Sequence, residues 1–304
     1  MSNALSFSIN HITCPSLRYD ELIELAKSLN CTAIQLRNDL GRPLFEGDSP
    51  ALVKQKLDDA GLRLLSLAEI KRFNDTEAER IDQAKRLVET AVACGAEGVS
   101  LIPTNDAAFQ PTQQQRIDNL KAILATLAAP IADAGLYGMV EPLGFSISSL
   151  RTKEEAVSVI NELDLWSTYR LVHDTFHHYL AGEQRYYPDH TGILEISGVV
   201  DPTVTADQMT DGHRILVTAE DRIHNIEQIQ ALLTASSATA ERINSVRKSF
   251  PDLAITRCDA TDVDAEQPWI EGLDLNVYLL DTSEHCVRIT QTPANATGLI
   301  IAVK

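Results

Sequence analysis

The chain has 304 residues, 44% of them hydrophobic, 23% charged and 5% aromatic. This composition excludes collagen-like, disordered and disulfide-framework classes and suffices for one large domain, or for a domain of about 200–250 residues with an appendage. Forty-three acidic residues against 26 basic ones give a formal charge of −17, a field that repels phosphate backbones and anionic lipid and so argues against nucleic-acid and membrane partners.

The apolar runs are shorter than the roughly 18 residues needed to span a bilayer. The opening MSNALSFSINH lacks the basic residues and long apolar stretch of a signal peptide, so the expected location is the cytoplasm. Cys14, Cys31, Cys94, Cys258 and Cys286 are odd in number and contain no CxxC pair. They read as reduced, buried thiols.

In chain order, short β-branched apolar runs alternate with longer segments whose apolar residues recur every three and four positions, the pattern of a parallel sheet with helical crossovers. Strands are expected at 6–12, 33–36, 63–68, 98–102, 137–141, 170–174 and 193–197. Helices between them include 19–29, 77–93 and 113–133, and Asn30, Gly61, Gly95 and Gly135 stand where left-handed stop residues belong. Ser49 before Pro50, and Thr152 before Lys153, Glu154 and Glu155, read as helix starts. Seven such units of about 30 residues favour a (β/α) TIM-type barrel over a doubly wound sheet, because no Gly-rich phosphate loop follows the first strand.

After Ile223 the rhythm changes. Residues 225–233 and 241–250 read as helices around an Ala, Ser and Thr-rich stretch, which places a domain boundary at 233/234. Runs at 253–257, 275–280, 286–290 and 299–303 then read as strands, two of them separated at hairpin spacing by residues 281–284. Residues 1–233 are thus expected to form the barrel and 234–304 a small α+β domain. An eighth barrel strand is missing from the pattern. Residues 253–257 are the nearest candidate for it, but the later runs need a partner strand, which favours placing them in the tail domain.

Working residues of such barrels stand at the C-terminal ends of strands. His11 closes the first strand, Arg37 and Asn38 the second, Glu69 and Lys71 the third, Glu141 the fifth and Asp174 the sixth, while Glu195 lies in the seventh. Three carboxylates on three successive strands, Glu141, Asp174 and Glu195, would repel one another in one mouth unless a cation neutralised them. The competing reading of Glu195 is an ion pair with Arg214, Arg170 or Lys71. His173 alternates away from Asp174, and His177 lies in the loop above it.

The segments VEPLGF (140–145), LVHDTFHHYLAG (171–182), ISGV (196–199) and DGHRILV (211–217) resemble the sugar-phosphate isomerase and epimerase family, xylose-isomerase-like barrels that include inosose isomerase. NHIT (10–13), LRNDLGRPLF (36–45) and ACGAEGVSLIP (93–103) extend the resemblance over about residues 5–233. It implies a divalent metal held by Glu, Asp, His and Glu on strands five to eight, with a His three residues after the Asp. Glu141, Asp174 and His177 match. Glu195 stands where the family has its strand-seven His, and the strand-eight Glu is missing, which shifts the preferred metal from zinc toward manganese or magnesium. His213 and Arg214 match a segment that binds substrate oxygens. The tail weakly resembles a small uncharacterised domain.

The resulting expectation is a metal-dependent isomerase or epimerase of a keto-sugar or inosose, working by enediolate-type proton transfer. Glu141, His177 and Glu69 are the candidate catalytic residues, and Lys71, Arg37, His213, Arg214 and His11 the substrate-binding ones. Glu141, Asp174 and Glu195 are the candidate ligands of Mn, Mg or Zn. A small carbohydrate is the expected partner, with homo-oligomerisation a further possibility. The alternative is a degenerate barrel that binds a sugar-like ligand, or a protein partner through its tail.

Overall fold

The computed structural model describes residues 6–75, 78–201, 203–217, 239–249, 254–263, 266–272, 274–281, 288–291, 296 and 298–304. The chain divides into two compact units, Met1–Glu195 and Ile196–Lys304. The expected boundary at 233/234 and the expected helix at 225–233 lie outside the described residues.

The first unit carries seven strands: β1 (Ser8–Asn10), β2 (Ala33–Arg37), β3 (Arg63–Lys71), β4 (Gly98–Ile102), β5 (Tyr137–Val140), β6 (Tyr169–Asp174) and β7 (Thr191–Glu195). They pair in parallel and in chain order, a half-barrel with β1 and β7 at its ends. The crossovers are α1 (Tyr19–Ser28), α2 (Pro50–Ala60), α3 (Ala78–Cys94), α4 (Gln113–Asp133), α5 (Lys153–Leu163) and α6 (Thr175–Ala181). Their ends follow from local chemistry. Ser49 accepts the Leu52 amide ahead of Pro50, Gly61 closes α2 at φ 66°, and Thr152 forms a reciprocal cap with Glu155.

Two apolar layers hold this unit. Outward residues such as Ile34, Leu36, Val99, Leu101, Val140 and Leu171 join the helical faces in one large core. Inside the curl, Met139, Val172 and Ile193 pack with Leu65 in a smaller cluster. The neighbouring inward positions are polar. Ser100 Oγ donates to Ser66 Oγ at 3.0 Å, Ser66 to Gln35 Oε1 at 2.8 Å, and Gln35 Nε2 to Glu195 Oε1 at 3.0 Å. Asn10 Nδ2 on β1 donates to the same Glu195 oxygen on β7 at 3.2 Å. Side chains of the first two strands therefore reach the last one, which is the curvature a barrel requires.

In the second unit, α7 (Thr239–Ser249) precedes β8 (Ala254–Asp259), β9 (Ile270–Glu271), β10 (Leu275–Asp281), β11 (Arg288–Thr290) and β12 (Gly298–Val303). The sheet runs β11-β10-β12-β8, with β9 also on β10. The stretch weighed as an eighth barrel strand pairs in parallel with β12, so it belongs to this separate sheet. Ile243 and Val246 of α7 pack on Val277, Leu279, Leu299 and Ile301, one face of that sheet. Cys14, Cys31 and Cys94 are in no disulfide; Cys94 is buried as expected, whereas Cys14 and Cys31 are half-buried, and Cys286 lies outside the described residues.

Gly138 on β5 lets the Tyr169 ring approach the strand closely: a Cβ there would stand 2.5 Å from Tyr169 Cδ1 and 2.6 Å from Cε1. Tyr169 is fully buried and donates to the Leu124 carbonyl at 2.6 Å, so it has no free direction in which to move. Gly138→Ala is accordingly expected to destabilise the fold by about 1–3 kcal/mol. Urea denaturation of the variant beside the parent checks this.

Candidate metal centre

Strand order alone brings the working residues together, because parallel strands present all their C-terminal ends at one rim. Glu141 follows β5, where its amide donates to the Leu101 carbonyl of β4 at 3.2 Å. Asp174 ends β6 and caps α6, its Oδ1 accepting the amides of Phe176 at 2.8 Å and His177 at 3.3 Å. The cap orients the carboxylate and starts the helix that carries His177. His177 Nε2 then lies 3.8 Å from Glu141 Oε1.

Glu141, Asp174 and His177 each place one potential ligand atom within 4.8 Å of the others. Asp174 and His177 are buried, at 3% and 4% exposure, and Glu141 retains 9%. Two carboxylates and an imidazole in so small and dry a space suit a divalent cation, which would offset the repulsion between the carboxylates. Three protein donors also match the number found in catalytic zinc sites that keep a position open for water or substrate. The donor set therefore fits the metal that the sequence pattern implies.

Glu195 stands outside this group. Its strand register pairs it with Asp174, and its Oε1 accepts the Asn10 and Gln35 amides, while the group within 4.8 Å comprises Glu141, Asp174 and His177.

Arg37, at the end of β2, makes a two-pronged contact with Asp39 at 2.8 and 2.7 Å and reaches Glu69 Oε2 at 3.3 Å. Burial works against its charge, but Asp39, Glu69 and the charge of Glu141 together hold the guanidinium above its ordinary range. Glu69 is held above the usual carboxylate range by burial, with the Asp39 charge adding to it and Arg37 and Lys71 opposing. Lys71 is largely exposed, with Nζ 3.8 Å from Glu69 Oε1.

Of the other expected substrate contacts, His11 lines a small pocket together with Arg37, Arg42 and Glu46. His11 is buried with its Nε2 donating to the Leu17 carbonyl at 2.9 Å and Arg42 beside it, and burial, the largest cause, lowers its pKa. His213 and Arg214 belong to the second unit. There His213 Nδ1 accepts the Thr210 amide at 3.0 Å, and Arg214 Nε donates to Ser197 Oγ at 3.0 Å. Asn10 and Gln35 were not among the expected site residues, although each is a polar residue at an inward position of an otherwise apolar strand.

The architecture and this rim define a class before they define a member. Residues 23–226 match the sequence profile of the xylose isomerase-like TIM barrels, and the chain belongs to that family. Residues 230–304 match a family of unknown function (DUF6129). A xylose isomerase domain-containing protein from Salmonella typhimurium LT2 is 26% identical, with a TM-score of 0.67 over 81% of this chain and 96% of that one. The IolI protein, solved with a bound zinc atom, is 19% identical with a TM-score of 0.68 over 82% of this chain and 97% of its own. A fusion of a xylose isomerase-like TIM barrel with a 4-hydroxyphenylpyruvate dioxygenase, 13% identical with a TM-score of 0.63, aligns with 97% of this chain, which spans 55% of it. No curated protein matches this chain. No described helix is long and apolar enough to cross a membrane.

On the opposite face of β6 from Asp174, burial holds His173 neutral with its pKa down at about 4 and His178 at about 3, and the nearby Lys153 ammonium pushes both further down. Unfolded, both rings titrate near 6.5. Below that pH the unfolded chain takes up protons that the folded chain refuses, so these groups make stability fall from about pH 6.5 toward pH 4. Urea midpoints measured at steps from pH 7.5 to 4.5 are expected to decline. In His178→Asn the decline is expected to be shallower, by up to one proton's slope of about 1.4 kcal/mol per pH unit.

Proposed function

We propose that the chain is a divalent-metal-dependent isomerase or epimerase that moves a proton on the carbon beside a carbonyl of a small keto-sugar or inosose. The observation that carries this reading is the convergence of Glu141, Asp174 and His177 at the C-terminal rim of the half-barrel, with Arg37 and Glu69 beside them. Glu141, Asp174 and His177 would hold the cation, which when bound supplies Lewis-acid polarisation of the substrate carbonyl and its neighbouring hydroxyl. Glu69 takes the proton from the substrate carbon and returns it, a role suited to a carboxyl held above its ordinary range. Arg37 keeps Glu69 in place and presents a fixed positive charge to substrate oxygens. Lys71, exposed at the rim, is a further substrate contact.

The relatives support the class of chemistry. Among the structural neighbours are a D-psicose 3-epimerase solved in the presence of D-fructose and a probable 3-DHS dehydratase, at 14% and 12% identity. Removal of a proton next to a carbonyl opens both epimerisation and loss of water. The acidic chain, which repels phosphate backbones, agrees with a small neutral carbohydrate as partner. A second reading, a barrel retained only to bind a sugar-like ligand, is favoured by the absence of an eighth barrel strand among the described residues and by Glu195 at the place of the family's strand-seven histidine.

Metal analysis of the purified protein, with proton NMR of keto-sugars and inososes in deuterated buffer, tests the proposal. Stoichiometric divalent metal and deuterium incorporated at one carbon are expected, with loss of water scored in the same spectra. Glu141→Gln and Asp174→Asn should lose the metal, whereas Glu69→Gln should keep it and lose about 100-fold or more in exchange rate. A parent protein with neither metal nor exchange overturns the enzyme in favour of the binding barrel.

A further inference from the structure

The face of β6 opposite Asp174 carries a buried charged cluster that the proposed chemistry does not use. Lys153, the first residue of α5, is 3% exposed, and its Nζ lies 2.7 Å from His178 Nδ1 and 2.8 Å from Glu183 Oε2. Glu183 Oε1 accepts the Glu154 amide at 3.2 Å, tying the segment after α6 to the start of α5. The His178 ring lies 4.9 Å from that of His173 and 4.7 Å from that of Tyr186. Burying an ammonium and a carboxylate costs about as much as their attraction returns, and apolar residues of similar volume often do as well. Stability alone does not account for the cluster.

We infer that Lys153, His178 and Glu183 form a clamp that positions His177 against Glu141 and thereby sets the affinity of the divalent site. His177 and His178 are consecutive residues of α6, whose seven residues are too few to hold a helix by themselves. Neighbouring helical residues project about 100° apart, so fixing the direction of one fixes the other. His178 is turned to Lys153 while His177 is turned to Glu141. Lys153 only donates, so Nδ1 of His178 is an acceptor and the bond has one sense.

The loop after β5 grips α6 as closely. A Cβ on Gly144, in the loop after β5, would collide with the His177 carbonyl and stand 2.7 Å from Leu180 Cβ and 2.8 Å from the Ala181 amide. Arg151 ties the same loop to the helix end, donating from Nε to the Gly144 carbonyl at 2.9 Å and from Nη2 to the Leu180 carbonyl at 3.0 Å. The Phe145 ring meets His177 edge-on at 5.1 Å. Held by both loop and clamp, α6 has one seat.

The inference rests on the proposed function for its ligand and on the structure for its geometry, and the experiment separates the two. Mn²⁺ binding to the intact chain is measured by calorimetry, alongside hydrogen exchange at the Phe176 and His177 amides. His178→Leu, which removes the acceptor, is expected to weaken Mn²⁺ binding by about 10-fold or more, the usual effect of losing a group that orients a ligand. His178→Asn, which restores an acceptor, should recover most of it. Exchange at the two amides should quicken in the first variant and return in the second. Unchanged affinity and exchange in a folded His178→Leu overturn the clamp. Should that variant fail to fold, Lys153→Met with Glu183→Leu removes the cluster without stranding a charge: loss of affinity in this folded protein supports the clamp, and parental affinity overturns it. A parent that binds no Mn²⁺ refutes the metal reading instead, and the exchange rates alone then decide the clamp.

Discussion

One carboxylate organises this site. Asp174 ends β6, accepts the first amides of α6 through Oδ1 and belongs to the group of ligand atoms within 4.8 Å. A carboxylate at a helix N-terminus is stabilised by the amides it accepts and by the helix dipole, so Asp174 is oriented for reasons unrelated to any ligand. His177 follows at a fixed helical offset from the same cap. The strand thus delivers one donor and the helix it starts delivers the next, and the rim position of Glu141 one strand away completes the set.

Charge then decides which residues work together. Glu141, Asp174 and Glu69 all stand at or near one rim, and in a dry interior like charges raise one another's protonation unless balanced. Arg37 supplies part of that balance, reaching Glu69 directly and lying within electrostatic range of Glu141. The Glu141, Asp174 and His177 group is one that could hold a divalent cation. Glu195 is placed differently: its Oε1 accepts two neutral amides, those of Asn10 and Gln35.

The inner layer shows how a seven-stranded sheet keeps its curl. Barrel interiors are ordinarily filled by bulky branched side chains, and Met139, Val172 and Ile193 do this on β5, β6 and β7. On the other side the filling is a hydrogen-bonded chain through Ser100, Ser66, Gln35 and Glu195, joined by Asn10. Hydrogen bonds have direction where apolar contacts do not, and these run from strand to strand as far as the opposite end of the sheet.

Local structure was legible in the sequence because its causes are local. The period of the strands, the caps at Ser49 and Thr152 and the left-handed stops at Gly61 and Gly135 depend on neighbours within a few residues. The rim positions of Glu69, Glu141 and Asp174 followed too, since alternation and strand ends place a polar residue without knowledge of its partners. Partnership was a different matter. That Glu195 meets Asn10 and Gln35, that His11 turns to the Leu17 carbonyl, and that 254–259 pairs with β12 all depend on residues far apart in the chain. His177 and His178 are adjacent and chemically identical in the sequence, and only the packing of α6 against Gly144 and Lys153 sets one beside Glu141 and the other beside Lys153. Periodicity determines the face on which a side chain lies; the tertiary contacts of both faces determine what it touches there.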